Sequence, residues 1–180
     1  MPWPELRPSA PVLLVVTAFS RHASALAWAE HRLEEHFGPI GLISPDFPFT
    51  QTRYYEPEMG PGLVKRLFAF ERLVPAESLA AIKRATLEME KELAFQGSYA
   101  ERRPLNLDPG LLSLGKFQLA TTKDQAHRIY LGQGIFAEVT LRFRAGAFHP
   151  WEWTYPSYRQ PGLLDFLRVA RDYYRQRLGG

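Results

Sequence analysis

The sequence predicts an α+β fold: a mixed or mostly antiparallel sheet in a split β-α-β, ferredoxin-like arrangement, with helices packed on one face and an extra C-terminal hairpin and helix. Three observations carry this expectation. Apolar runs of strand length alternate with amphipathic stretches in the order strand, helix, strand, strand, helix. A glycine-centred hairpin pattern follows, and the last twenty residues again have helical period.

Residues 1–11 hold four prolines and read as an extended arm of a single domain spanning 1–180. Val12 to Phe19 is β-branched and aliphatic throughout, as expected of a strand buried on both faces. Ser20 is placed to cap the next element. From His22 to Phe37, Leu26, Ala29, Leu33 and Phe37 form one apolar helical stripe, which Gly38 and Pro39 end. Ile40 to Ser44 returns as a short strand. Proline opposes regular structure in 45–62, which reads as a long ordered loop presenting Tyr54, Tyr55, Glu56 and Glu58.

Leu63 to Val74 alternates as a strand, with Leu63, Lys65, Leu67 and Ala69 on one side and Val64, Arg66, Phe68 and Phe70 on the other. Pro75 suits the first turn of a helix, and Leu79, Ile82, Thr86, Met89 and Leu93 continue it to Gly97. Asp108-Pro109-Gly110 has the composition of a type II turn, and Leu111 to Thr121 that of a strand. A three-residue loop, Gly132-Gln133-Gly134, joins Ala126–Leu131 to Ile135–Arg144. That register opposes Leu131 to Ile135, Tyr130 to Phe136 and Arg128 to Glu138. Arg128, Tyr130, Phe136, Glu138, Thr140 and Arg142 then share one face, while His127, Ile129, Leu131, Ile135, Ala137, Val139, Leu141 and Phe143 take the core face. After an aromatic bend, Leu163, Phe166, Leu167, Ala170, Tyr174 and Leu178 form the inner stripe of a final helix.

With 46% hydrophobic and 23% charged residues, the chain has the balance of an ordinary globular domain. No apolar run is long enough to span a bilayer and no secretory signal is visible, so the expected location is cytoplasmic. Absent cysteine excludes disulfides, thiolate metal ligands and a thiol nucleophile. Arginine supplies 17 of the 22 basic residues, a skew compatible with carboxylate or phosphate recognition and also with codon usage. There is no G-x-x-x-x-G-K-[ST] loop, so a P-loop NTPase is excluded; the G-x-S-x-G elbow and the Rossmann fingerprint are also missing.

The chemistry concentrates between Asn106 and Trp153. His127 with Glu138 or Asp108 can move protons, and Arg128 can neutralise an oxyanion. Their competing reading is a structural Arg128–Glu138 ion pair with His127 as a wall residue, since adjacent strand residues point to opposite faces unless the strand starts later or bulges. The Thr121-Thr122-Lys123-Asp124 run suits either a phosphate-holding loop or a helix cap. The histidine spacing gives no zinc pattern, whereas Mg²⁺, which keeps waters, could use Glu56, Glu58, Asp108 and Glu138.

The segments TRYYEPEMG, NLDPGLLSLGKFQLATTKDQAHRIYLGQGIFAEVTL and WTYPSYR resemble an uncharacterised bacterial family, domain of unknown function 4416. The resemblance implies a small single-domain protein without an established activity; some members have carried nucleotide-binding labels, which the missing P-loop does not support as GTPase activity. The resembling segments carry the candidate catalytic residues His127, Glu138 and Asp108. They also carry the candidate ligand-binding residues Tyr54, Glu56, Asn106, Lys116, Lys123, Arg128 and Tyr130. The expectation is a pocket for a small phosphorylated or carboxylated ligand, formed by segments 54–60, 106–124 and 127–142. Two alternatives stay open: an RNA-binding module using exposed aromatics and arginine, and a non-catalytic interaction or oligomerisation domain.

Overall fold

The computed structural model describes residues 3–179; residues 1 and 2 of the predicted arm lie outside them, and 3–11 are exposed without regular structure. The elements are β1 (Val12–Ser20), α1 (Ala23–Phe37), β2 (Ile40–Ile43), β3 (Phe47–Pro48), α2 (Glu56–Met59), β4 (Val64–Val74), α3 (Leu79–Phe95), β5 (Asn106–Leu112), β6 (Lys116–Thr121), β7 (Ile129–Gly132), β8 (Ile135–Arg144), β9 (Ala147–Pro150) and α4 (Pro161–Leu178). The strands form one nine-stranded sheet in the order β2-β4-β1-β5-β6-β8-β7, with β3 on β4 and β9 on β8. Every pairing is antiparallel. β4 lies between β1 and β2, so the first β-α-β unit is split as the sequence predicts.

β1 is buried at all nine positions because both faces of the sheet are covered there. On the first face, Leu26, Ala29 and Leu33 of α1 and Ile82, Met89 and Leu93 of α3 pack with Leu14 and Val16 of β1 and Phe68 and Phe70 of β4. The C-terminal helix covers the opposite face instead. There Leu163, Phe166, Leu167 and Ala170 pack on Leu13, Val15, Leu67 and Phe117, and each large side chain so buried contributes roughly 1.5–3 kcal/mol.

Several local expectations change. Ser20 does not cap α1: its hydroxyl donates to Pro104 O at 2.5 Å and accepts the His22 N–H at 3.0 Å. The 45–62 loop contains β3 and the one-turn α2. Leu111–Thr121 is not one strand but the end of β5 and all of β6, with Ser113 N–H donating to Lys116 O across the turn. Pro109 and Gly110 lie inside β5 rather than in a turn. Pro109 is tolerated because β6 pairs with β5 only from Gly110 onward, so the missing N–H falls on an open edge. Glycine at 110 admits the Phe117 ring, which a Cβ there would meet at 2.6 Å.

Where β5 and β6 part, the open backbone of Leu107 is capped by charged groups from α3. Its N–H donates to Glu90 Oε1 at 2.6 Å, and its carbonyl accepts from Lys83 Nζ at 2.9 Å. Burial pushes the Glu90 carboxyl up, against the pull of Lys83, the Leu107 N–H and Arg103.

The last hairpin also departs from its predicted register. Tyr130 does oppose Phe136, but Gly132 rather than Leu131 opposes Ile135. The turn has two residues, Gln133 and Gly134, both at positive φ (57° and 78°), the conformation that suits the strand twist of a hairpin. Farther along β8, Phe117 opposes Leu141 and Gln118 opposes Val139, leaving Thr140 as an extra, bulged residue. The bulge inverts the later alternation. Leu141 and Phe143 join the α4 face instead of the predicted core face with Ile135 and Ala137, and Arg142 leaves the face of Glu138.

Candidate functional site

The antiparallel register brings distant segments together on the second face. Phe19 opposes both Lys65 on β4 and Asn106 on β5, and Thr17 opposes Asp108. On β6 and β8, Leu119 opposes Glu138. Beyond the N-terminus of α4 this end is covered by the 154–158 turn and by residues from 49 to 59, where Phe49, Met59 and Tyr55 pack on Phe19.

At the β8 side, β7 begins only at Ile129, so His127 sits in a turn and not on the predicted core-facing strand. The objection to a shared site therefore disappears. His127 Nε2 lies 2.9 Å and Arg128 Nε 3.0 Å from the same oxygen, Oε2 of Glu138. The bulged Thr140 donates its hydroxyl to the other oxygen at 3.1 Å, an indirect consequence of the register change in β8. A carboxylate only accepts, so Nε2 of His127 carries the donated proton, and in the neutral ring Nδ1 holds the lone pair. Among the described residues Nδ1 has no hydrogen-bond partner. The ring stacks on Trp153 at 5.3 Å, Trp153 stacks on Trp151 at 5.1 Å, and the Arg142 guanidinium closes the row over Trp151.

Arg128 faces inward, with a side chain only 2% exposed. Besides Glu138 it donates to Lys123 O at 2.9 Å and to the Tyr155 hydroxyl at 3.2 Å. It thus fixes the 121–128 segment and the 155 turn around one carboxylate. No helix follows Thr121-Thr122-Lys123-Asp124, which removes the helix-cap alternative; Thr121 Oγ1 accepts the Lys123 N–H. Lys123 Nζ reaches the Tyr54 hydroxyl at 3.2 Å and lies 4.2 Å from that ring's centroid, so an ammonium and a phenol meet on the exposed surface.

Asp108 lies on the same face. Its carboxylate meets Lys83 Nζ at 3.2 Å, and its side chain is 25% exposed. Burial first, then the charge of Asp108 and the neighbouring Tyr155, pushes the Tyr55 hydroxyl well above its ordinary range. Burial and Asp108 do the same to Tyr158, which donates to Thr17 Oγ1 at 2.9 Å and also feels Glu138. Tyr155 and Tyr158 therefore join the Glu138 group to the Asp108 group.

The other predicted residues are placed less centrally. Asn106 accepts from Arg103, which also reaches Glu58 and Glu90, while its buried Nδ2 has no partner among the described residues. Glu56 is half-buried in α2. Tyr130 is exposed beside Phe136 at the outer edge. Lys116 is exposed at the far end of β6, opposite Arg142. Among the described residues no group of three or more Asp, Glu or His side chains is placed to hold a metal ion. Glu58, Asp108 and Glu138, considered for Mg²⁺, are each engaged by a cation of the chain.

Sequence reasoning missed Lys65, Tyr155, Tyr158 and Thr17. Lys65 had left a signal: its charge interrupts the apolar side of β4 between Leu63 and Leu67. Two cavities lie elsewhere, one of about 520 Å³ between Glu71 and Tyr173 and one of about 480 Å³ between α3 and the β7–β8 turn.

Among the described residues, no helix is long and apolar enough to cross a membrane. No curated protein and no solved structure matches the chain. The model of one family, described as Domain of unknown function (DUF4416), matches residues 10–174, and the chain belongs to that family.

Proposed function

We propose that this end of the sheet binds a small phosphorylated or carboxylated ligand and that His127 transfers a proton to or from it. The observation that carries the reading is the convergence of His127 and Arg128 on one oxygen of the buried Glu138, beside the exposed Lys123–Tyr54 pair. Glu138 orients the ring through Nε2, which leaves the Nδ1 lone pair as the base. Each of the three nitrogens of Arg128 already donates within the chain, to Glu138, Lys123 O and Tyr155, so it holds the frame while Lys123 and Tyr54 meet the anion. An ammonium on a flexible stem suits that task because it can leave the Tyr54 ring for a phosphate or carboxylate.

A thermal-shift panel of nucleotides, sugar phosphates and small carboxylates is expected to yield at least one stabilising compound. Lys123→Ala should weaken that compound about tenfold, or ~1.4 kcal/mol. His127→Gln should leave its affinity within about twofold while abolishing any turnover found with it. A panel without stabilisation, or binding indifferent to Lys123→Ala, contradicts the proposal.

A further inference from the structure

We infer that Lys65 is a covalent amine site for a small carbonyl compound admitted beneath the 49–59 segment, with Asp108 shuttling the protons of imine formation. The inference goes beyond the proton-transfer reading and uses different residues, so either can fail alone.

Lys65 is 3% exposed and forms no salt bridge among the described residues. Its Nζ donates to Ser157 Oγ at 2.9 Å and otherwise faces aromatic rings, 4.2 Å from the centroid of Phe49, 4.6 Å from Tyr158 and 5.1 Å from Phe19. An ammonium has three donors, and here one acceptor is supplied. A neutral amine tolerates that setting better, because it carries one donor fewer and no charge to desolvate. Burial lowers the Lys65 pKa to about 8, against the opposing pull of Asp108, so a usable fraction is nucleophilic near neutral pH.

The surroundings match the needs of the reaction. Asp108 lies on the same face as Lys65, opposite Thr17 of β1 where Lys65 is opposite Phe19, and its carboxylate is partly open to solvent beside Lys83 Nζ at 3.2 Å. Phe49, one of the three rings against Lys65, packs with Tyr55 and Met59 in the 49–59 segment, whose only regular structure is one helical turn. In the step itself, Nζ of the neutral amine adds to the carbonyl carbon. Its two protons leave with the carbonyl oxygen as water, Asp108 relaying them, and a C=N bond replaces C=O without any change in oxidation state.

The test uses the full chain with glyoxylate, a carboxylated aldehyde, and cyanoborohydride to trap the imine, followed by peptide mapping by mass spectrometry. Lys65 should be modified at least about tenfold faster than the exposed Lys91 and Lys116, by analogy with other desolvated reactive lysines. Asp108→Asn should slow Lys65 several-fold and leave Lys91 unchanged, whereas His127→Gln should alter neither. Labelling of Lys65 no faster than that of Lys91 and Lys116 overturns the site. An unchanged Lys65 rate in Asp108→Asn overturns the role given to Asp108.

Discussion

Glu138→Ala is expected to destabilise the fold by about 3–5 kcal/mol, the usual cost of leaving one member of a buried ion pair uncompensated. Arg128 and Glu138 are 2% and 3% exposed, and Glu138 also receives His127 and Thr140. Without the carboxylate, the guanidinium keeps its charge but loses its counterion, and the Thr140 hydroxyl in the β8 bulge loses its acceptor. For a chain of this size the melting temperature should fall by about 10 °C. Urea denaturation of Glu138→Ala beside Glu138→Gln separates the effects, since Gln keeps an acceptor without the charge. A loss below about 1 kcal/mol in both would mean that Arg128 has another partner to turn to, a result at odds with the geometry.

Lys65→Met should act in the opposite direction, stabilising the protein by about 1–3 kcal/mol at pH 7. The folded chain holds Lys65 with a pKa lowered from 10.5 to about 8. Below about pH 8 both folded and unfolded chains carry the ammonium, and the whole penalty of burying it, about 3 kcal/mol for a shift of this size, weighs on the fold. Between about pH 8 and 10.5 the unfolded chain binds more protons than the folded one, so the penalty fades as pH rises. Methionine removes the penalty but also the hydrogen bond to Ser157 and the attraction to the three rings, which trims the gain. Stability differences between Lys65→Met and the parent, measured by denaturation from pH 6 to 10.5, should therefore shrink with rising pH. A destabilised variant would show that the cage stabilises the ammonium, and a gain independent of pH would show that folding does not lower the Lys65 pKa. A residue whose charge weakens the fold is what a functional amine leads one to expect.

Most of the fold was legible because periodicity reports burial. The alternation in 63–74, the stripe in 79–93 and the final stripe from Leu163 to Tyr174 all emerge as predicted. What was not legible depended on neighbours. Pro109 and Gly110 look like a turn until β1 and the Phe117 ring are placed beside them, and the Thr140 bulge has no marker in its own segment. The same holds for the candidate site. Arg128, Glu138 and His127 stood out as a polar group on a strand pattern, and Lys123 and Tyr54 were both singled out, although nothing local tied one to the other. Lys65, Tyr155 and Tyr158 joined them only through register and the fold-back of the 154–158 turn, information that no single stretch of sequence contains.

The most direct test of the central claim is a map of backbone amide shifts on titration with a stabilising phosphorylated or carboxylated compound. Perturbed amides should concentrate at 54–55, 108, 121–128, 138 and 153–158, the residues gathered around Glu138 and Asp108. Shifts centred instead on Arg84, Lys91, Gln133 and Gly134, which line the groove between α3 and the β7–β8 turn, would contradict it.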